Sequence, residues 1–350
     1  MTSAWVLLTA LPPTRGHLNL IRFAASVCPG GGPGATDDGR VKVLVCTQPD
    51  EPFTLERPRA IHDALDQDLR SRTEVIHFAQ QVQQVPNGDD EEGFWAMWTS
   101  ILRDHGFEEG DFVVASEGYG VELARHAGGR FIPYDLHRDI YDCDATRVRA
   151  DPLGQFHHML ATFSRRLSRR ITFFGAESTG KTTLTAAVAQ SMDSYHLPEW
   201  ARPYLEAVGP EVTDAAMHAI WIGQRSMQQS MDRLDPLPFV LQDTDLFSTL
   251  GYWEMYDRAN VPPGLADDAR ATRSDLYIVC PSNIPFHADP LRYGVDRRES
   301  TDSYWIDLLE RFELPYVVLT ESDPAARFRE AHELVLAQFD QDALAYDRIK

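Results

Sequence analysis

The run Gly175-Ala176-Glu177-Ser178-Thr179-Gly180-Lys181-Thr182 fits G-x-x-x-x-G-K-S/T. Residues of these types at this spacing wrap phosphates. The glycines let backbone N–H groups close on phosphate oxygens, and a following helix adds partial positive charge. Lys181 would reach the β- and γ-phosphates of ATP, Thr182 would bind Mg²⁺, and Ser178, Thr179 and Thr183 would complete the cradle. Such a site needs a carboxylate on the metal side. Asp243, after the apolar run Phe239–Gln242, is the first candidate and Asp245 the second. Glu199 follows a short strand-like run, Ser194–Leu197, where it could accept a proton from a substrate hydroxyl. Ile284–Arg298 is polar, is marked by Gly and Pro, and carries Arg292, Arg297 and Arg298. Arginines on a mobile lid suit the transferring phosphoryl group.

A second constellation lies near the start. The strand-like Trp5–Leu8 leads into Thr14-Arg15-Gly16-His17, which fits H/T-x-G-H. This pattern suits attack at the α-phosphate of ATP. Gly16 lets phosphate approach a helix start, and the His17 imidazole N–H is aimed at it. Further on, Asp144–Pro152 places Thr146, Arg147 and Arg149 just before an expected helix, a good triphosphate site.

These residues need elements to hold them. Short, nearly unalternating apolar runs read as parallel strands covered on both faces. They are Trp5–Leu8, Val41–Val45, Val75–Phe78 and Phe112–Ala115, then Ile171–Phe174, Phe239–Leu241, Leu276–Cys280 and Tyr316–Leu319. Helical stretches alternate with them at Leu18–Val27, Arg57–Leu69, Phe94–Arg103, Val121–His126, Thr182–Gln190 and Ala326–Ala337. The class is α/β with two parallel sheets, a Rossmann-like nucleotidyltransferase fold and then a P-loop kinase fold. Pro29–Gly34 reads as a flexible loop. Phe156–Arg170, helical in pattern with a basic end, reads as a helix end and linker, so the expected domains are 1–165 and 166–350.

The 350 residues suffice for about two domains of roughly 150 each. The formal charge of −20 opposes a general nucleic-acid coat, so no nucleic-acid partner is expected. No apolar run approaches the ~18–20 residues that span a bilayer, and the first residues lack a signal-peptide pattern. The expected setting is the cytoplasm, with no membrane partner. Cys28, Cys46, Cys143 and Cys280 are far apart, as suits free buried thiols. Assembly into homo-oligomers is left open.

The ordered set of motifs resembles the bifunctional nicotinamide-nucleotide adenylyltransferase / ribosylnicotinamide kinase family. The phosphate loop looks like that family's own version. Pro198-Glu199-Trp200-Ala201-Arg202 is similar to its P-E-Y/W-A-R, and Asp243-Thr244-Asp245 to its D-T-D. Ser116-Glu117-Gly118-Tyr119-Gly120 resembles its S-E-x-Y-G, Thr146–Arg149 its T-x-x-R, and Asp135 and Arg138 its D-x-x-R. Asp289-Pro290-Leu291-Arg292 resembles another D-x-x-R, which makes Arg292 the first choice among the lid arginines. There are departures. Thr9-Ala10-Leu11-Pro12-Pro13 stands for the usual G-x-F-x-P, Thr14 for a histidine and Asp144 for a serine. The first strand starts close to Met1, so the DNA-binding module of some members is not expected.

The resemblance implies that the second half phosphorylates ribosylnicotinamide with Mg²⁺-ATP, using Lys181, Thr182 and either Asp243 or Glu199 as the activating base. The first half would transfer AMP from ATP onto nicotinamide mononucleotide, giving NAD, with His17 and Arg149 at the α-phosphate. The competing expectations are a single-activity kinase with a degenerate first domain and a nucleotide-switched regulator.

Overall fold

The computed structural model describes residues 2–28, 40–86, 90–257, 260–285 and 302–346. The chain divides into two compact units, Met1–Arg166 with Gln341–Lys350, and Leu167–Asp340. The division between the units falls after Arg166, and the final segment groups with the first unit.

The first unit is built on β1 (Ala4–Leu8), β2 (Val41–Thr47), β3 (Thr73–Ala79), β4 (Phe112–Ala115) and β5 (Arg130–Pro133), in the order β3-β2-β1-β4-β5. All of its pairings are parallel. Alternate residues of β1 enter two separate cores. Ala4, Val6 and Leu8 pack with Ile21 and Ala24 of the helix Arg15–Val27. Trp5 joins Trp95 and Trp98 on the opposite face. This two-sided burial explains the unbroken apolar runs.

The second unit has β6 (Arg169–Phe174), β7 (Tyr195–Leu197), β8 (Phe239–Asp243), β9 (Leu276–Val279) and β10 (Tyr316–Val318), in the order β10-β9-β6-β8-β7. Its pairings are also all parallel. In both sheets the first strand in sequence lies at the centre, where the direction of winding reverses. Ligands bind at the carboxyl ends of strands at such a point.

Several expected elements differ. Arg57–Leu69 is not one helix: it breaks after Ala64, and the Asp66 side chain caps a new helix, Gln67–Arg72, by accepting from Leu69 N at 2.9 Å. The expected linker helix is reduced to a 3-10 turn, Phe156–His158, and the short helix Ala161–Ser164. Arg169 and Arg170 are not a helix end but the start of β6, paired with Phe239 and Val240. β5 was absent from the expected strands. Pro29–Gly34 and residues 286–298 of the expected lid lie outside the described residues.

Candidate active sites

In the second unit, β6 feeds the loop 175–180, and the helix Lys181–Ser191 starts directly after it. Gly175 has φ +123°, and a Cβ there would fall 2.8 Å from the Cys280 carbonyl oxygen, so only glycine fits. Gly180 (φ +80°) and Ser178 (φ +59°) are also left-handed, which gives the loop its close curl. The Thr179 hydroxyl, fully buried, donates to the Ala176 carbonyl at 2.8 Å. Lys181 Nζ curls over the loop, donating to the carbonyls of Gly175 (2.9 Å) and Ala176 (2.6 Å). Phosphate oxygens bind an ammonium more strongly than neutral carbonyls do, so this lysine is placed to exchange partners with an incoming nucleotide.

The loop borders a cavity of about 1120 Å³ that also takes in Lys181, Thr182, Thr183, Glu199 and Arg202. Its far wall is apolar, with Leu205, Val212, Met217 and Ile220. The volume exceeds that of a usual single-ligand pocket, and it suits a nucleotide together with a second small molecule.

Asp243 ends β8 opposite Phe173 of β6 and is 1% exposed. Among the described residues neither of its carboxylate oxygens has a hydrogen-bond partner. A buried carboxylate without donors is costly, and a cation would satisfy it. With the Thr182 hydroxyl exposed on the cavity, the residues fit Mg²⁺. No cluster of three or more His, Cys, Asp or Glu side chains suited to a metal occurs among the described residues, so phosphate oxygens and water would supply the remaining ligands.

Glu199 faces the same cavity. Burial, and then the charge of Asp243, push its carboxyl up to about 7, against the opposing pull of Lys181 and Arg202. Asp245, the second metal candidate, is used elsewhere. One of its oxygens accepts from Phe247 N (2.9 Å) and Ser248 N (3.3 Å) at the start of the helix Leu246–Asp257, and the other accepts from the Tyr277 hydroxyl at 2.7 Å. It is a structural cap, not a cavity carboxylate. Arg292, Arg297 and Arg298 lie outside the described residues.

One residue of this site was missed from sequence. Arg327 is 4% exposed and lies at the cavity's edge. It belongs to no motif. Its signal is its place on the buried face of the helix Pro324–Leu336 with Ala331 and Val335, four and eight residues on, because a cation on such a face needs a reason.

In the first unit a cavity of about 380 Å³ brings together Thr14, Gly16, His17, Thr146 and Arg149 with Ser116, Glu117, Asp135 and Arg138. Thr14 caps the helix Arg15–Val27, its hydroxyl accepting from His17 N at 3.4 Å. His17 Nδ1 in turn accepts from the Thr14 backbone N–H at 3.0 Å. That bond leaves the proton of the neutral ring on Nε2, which is then a donor. Burial, and then the Arg138 guanidinium, lower His17 to about 4, so the ring is uncharged near neutral pH. A Cβ on Gly16 would make only ordinary contacts, 3.5 Å from Thr14 Oγ1, so the chain itself does not require glycine there.

Thr146 and Arg149 do not precede a helix, as expected, but lie on one, Ala145–Ala150, capped by Asp144 through Thr146 N at 2.7 Å. Three residues apart, they share a face, and Arg149 Nη2 donates to Thr146 Oγ1 at 3.0 Å. Arg149 also donates to the Leu11 carbonyl, in the Thr9–Pro13 segment. Asp135 and Arg138 both have positive φ (44° and 58°). The Asp135 carboxylate accepts from Ile140 N and Tyr141 N, each at 3.0 Å, which holds the turn that presents Arg138.

Residues 170–327 match the AAA domain family. The chain is 24% identical over 260 residues to the "Trifunctional NAD biosynthesis/regulator protein NadR" of Escherichia coli (strain K12), covering 69% of this chain and 61% of that protein. The protein of the same name from Salmonella typhimurium (strain LT2) is 22% identical over 256 residues, with the same coverage. The chain thus spans about 61% of the length of these relatives. A solved structure of a NadR protein in complex with NR superposes with a TM-score of 0.60 at 20% identity, covering 100% of this chain and 98% of that one. A NadR protein in complex with NAD and AMP-PNP gives 0.59 at 20% identity, covering 99% and 98%. These structures share the two-sheet fold from end to end. The chain is thus similar in sequence to proteins named for NAD biosynthesis and regulation, and it shares the fold of the NadR structures.

Proposed function

We propose that the chain makes NAD in two ATP-dependent steps, one in each unit. In the second unit the 5′-hydroxyl of ribosylnicotinamide attacks the γ-phosphorus of ATP. Glu199 takes the hydroxyl proton, the bond to the β-phosphate oxygen breaks, and nicotinamide mononucleotide and ADP leave. A carboxyl titrating near 7 is well matched to this task, whereas Asp243 is reserved for the metal side with Thr182. Mg²⁺ bound there would neutralise charge on the β- and γ-phosphates. Lys181 and the N–H groups of loop 175–180 hold those phosphates in line.

In the first unit a phosphate oxygen of the mononucleotide attacks the α-phosphorus of a second ATP, and pyrophosphate leaves. The attacking group is already an anion, so no base is needed. His17 donates from Nε2, and Thr146 and Arg149 hold the triphosphate.

One observation carries this reading: a single cavity joins the phosphate loop to a Glu199 raised to about 7, and the buried, unpartnered carboxylate of Asp243 is near enough to contribute to that rise. The test is incubation of the pure protein with Mg²⁺-ATP and either ribosylnicotinamide or the mononucleotide, with products identified by mass. The mononucleotide is expected from the first mixture and NAD from the second. ATP hydrolysis without acceptor phosphorylation would overturn the kinase assignment. Slow turnover with tightly retained ATP would favour a nucleotide-switched regulator.

A further inference from the structure

Arg327 is buried at the edge of the ATP cavity and forms no ion pair among the described residues. Its two terminal nitrogens donate to oxygens from three segments. Nη2 donates to the Thr179 carbonyl of the phosphate loop at 3.0 Å. Nη1 donates to Asn283 Oδ1, after β9, at 2.7 Å and to the Glu321 carbonyl, after β10, at 3.3 Å. The first bond bears on function. A trans peptide is planar, with its C=O and N–H on opposite sides. Holding the Thr179 carbonyl therefore also sets the direction of the Gly180 N–H, which turns away from Arg327. This peptide joins Thr179 to the left-handed Gly180 (φ +80°), and Ser178, one residue earlier, is left-handed too (φ +59°). Glycine gives such a segment freedom to rotate, so a second anchor matters. From inside the loop, the Thr179 hydroxyl bond to Ala176 fixes the side chain and not the carbonyl.

We propose that Arg327 is a positioning residue of the kinase site: by holding the Thr179 carbonyl it fixes the 179–180 peptide with the Gly180 N–H facing the nucleotide phosphates. The inference rests on reading the second unit as an ATP site. It makes the phosphate cradle depend on a helix 147 residues further along the chain than Gly180. A guanidinium is needed because it must reach several oxygens at once, which an ammonium on a shorter stem cannot do as well.

The experiment compares the unaltered protein with Arg327→Lys and Arg327→Met by calorimetric titration with AMP-PNP and Mg²⁺, resolved into two sites with the second-unit site identified as the one that Lys181→Ala weakens, and separately with ribosylnicotinamide. In Arg327→Met, AMP-PNP affinity should fall about tenfold, the size expected for one well-formed polar contact, while ribosylnicotinamide affinity stays put. Arg327→Lys should lie between. NAD synthesis from the mononucleotide, made in the other unit, reports on the integrity of each preparation. AMP-PNP affinity unchanged in both variants would overturn the proposal. So would an equal loss of affinity for both ligands, which marks a general loosening of the cavity. If Arg327→Met does not fold, Arg327→Lys alone decides by the same comparison. If the unaltered protein binds AMP-PNP but never phosphorylates ribosylnicotinamide, the kinase reading fails while the inference about Arg327 is still decided by the AMP-PNP titrations.

Discussion

Glu199 is a carboxyl whose surroundings oppose its charge: burial comes first and Asp243 second. Two expectations of opposite sense follow. As a base it must be ionised, so kinase kcat/KM should fall as pH drops through about 7, with a slope of one proton. Glu199→Gln should lose most turnover and this limb of the profile together. A profile that stays level from pH 8 to 6 would remove Glu199 from the proton-transfer step. For stability, the folded value lies above the ordinary 4.5. Between those two values the folded state holds more protons than the unfolded one, so stability declines as pH rises through that window and stays low above it. Glu199→Gln should therefore raise the melting temperature at pH 8 by about 2–5 °C and by less at pH 5. The P-E-W-A-R and D-T-D motifs singled out Glu199, Asp243 and Asp245 together, but not how they differ. That division depends on burial and on which oxygens find donors. These are properties of the packed sheet, which chain spacing does not encode.

At the level of elements, one acidic residue closes the helix Leu246–Asp257 and ties it to β9 through Tyr277. Asp245→Ala should cost about 2–3 kcal/mol, combining a lost cap with a buried hydroxyl left unpaired. At a temperature where the variant is folded, its Mg²⁺ dependence should be unchanged. Chemical denaturation and a Mg²⁺ titration of turnover check both halves. A folded variant with a greatly weakened Mg²⁺ response would place Asp245 on the metal after all. Strands buried on both faces were legible because nothing but apolar residues suits them. β5 escaped notice because it is four residues long and its ends, Arg130 and Pro133, are exposed. The break in Arg57–Leu69 had a sign in Asp66, a cap residue inside an apolar rhythm. Arg169 and Arg170 misled because basic residues suit helix ends. Here Arg169 donates to the Gln338 carbonyl and Arg170 to Asp232, which allows charged side chains on the first residues of a strand.

Across the whole molecule, the P-loop lies in one compact unit and His17 in the other. Lys181→Ala should slow ribosylnicotinamide phosphorylation by about 10²–10³ and leave NAD synthesis from the mononucleotide intact. His17→Ala should do the reverse. Neither variant alone should then convert ribosylnicotinamide to NAD at a useful rate, but an equimolar mixture should, because the mononucleotide made by one diffuses to the other. Failure of the mixture, with each variant retaining its own single step, would mean that the intermediate is not released. The hydrogen bond from Thr14 N–H to His17 Nδ1 has one more effect. It keeps a neutral ring, lowered to about 4, presenting the same Nε2 donor from mildly acidic to alkaline conditions, while the base in the other unit switches off below about 7. On the proposed reading, acidification throttles entry into the sequence and spares its exit. The pool of mononucleotide would drain into NAD instead of accumulating, a flux control that needs no effector.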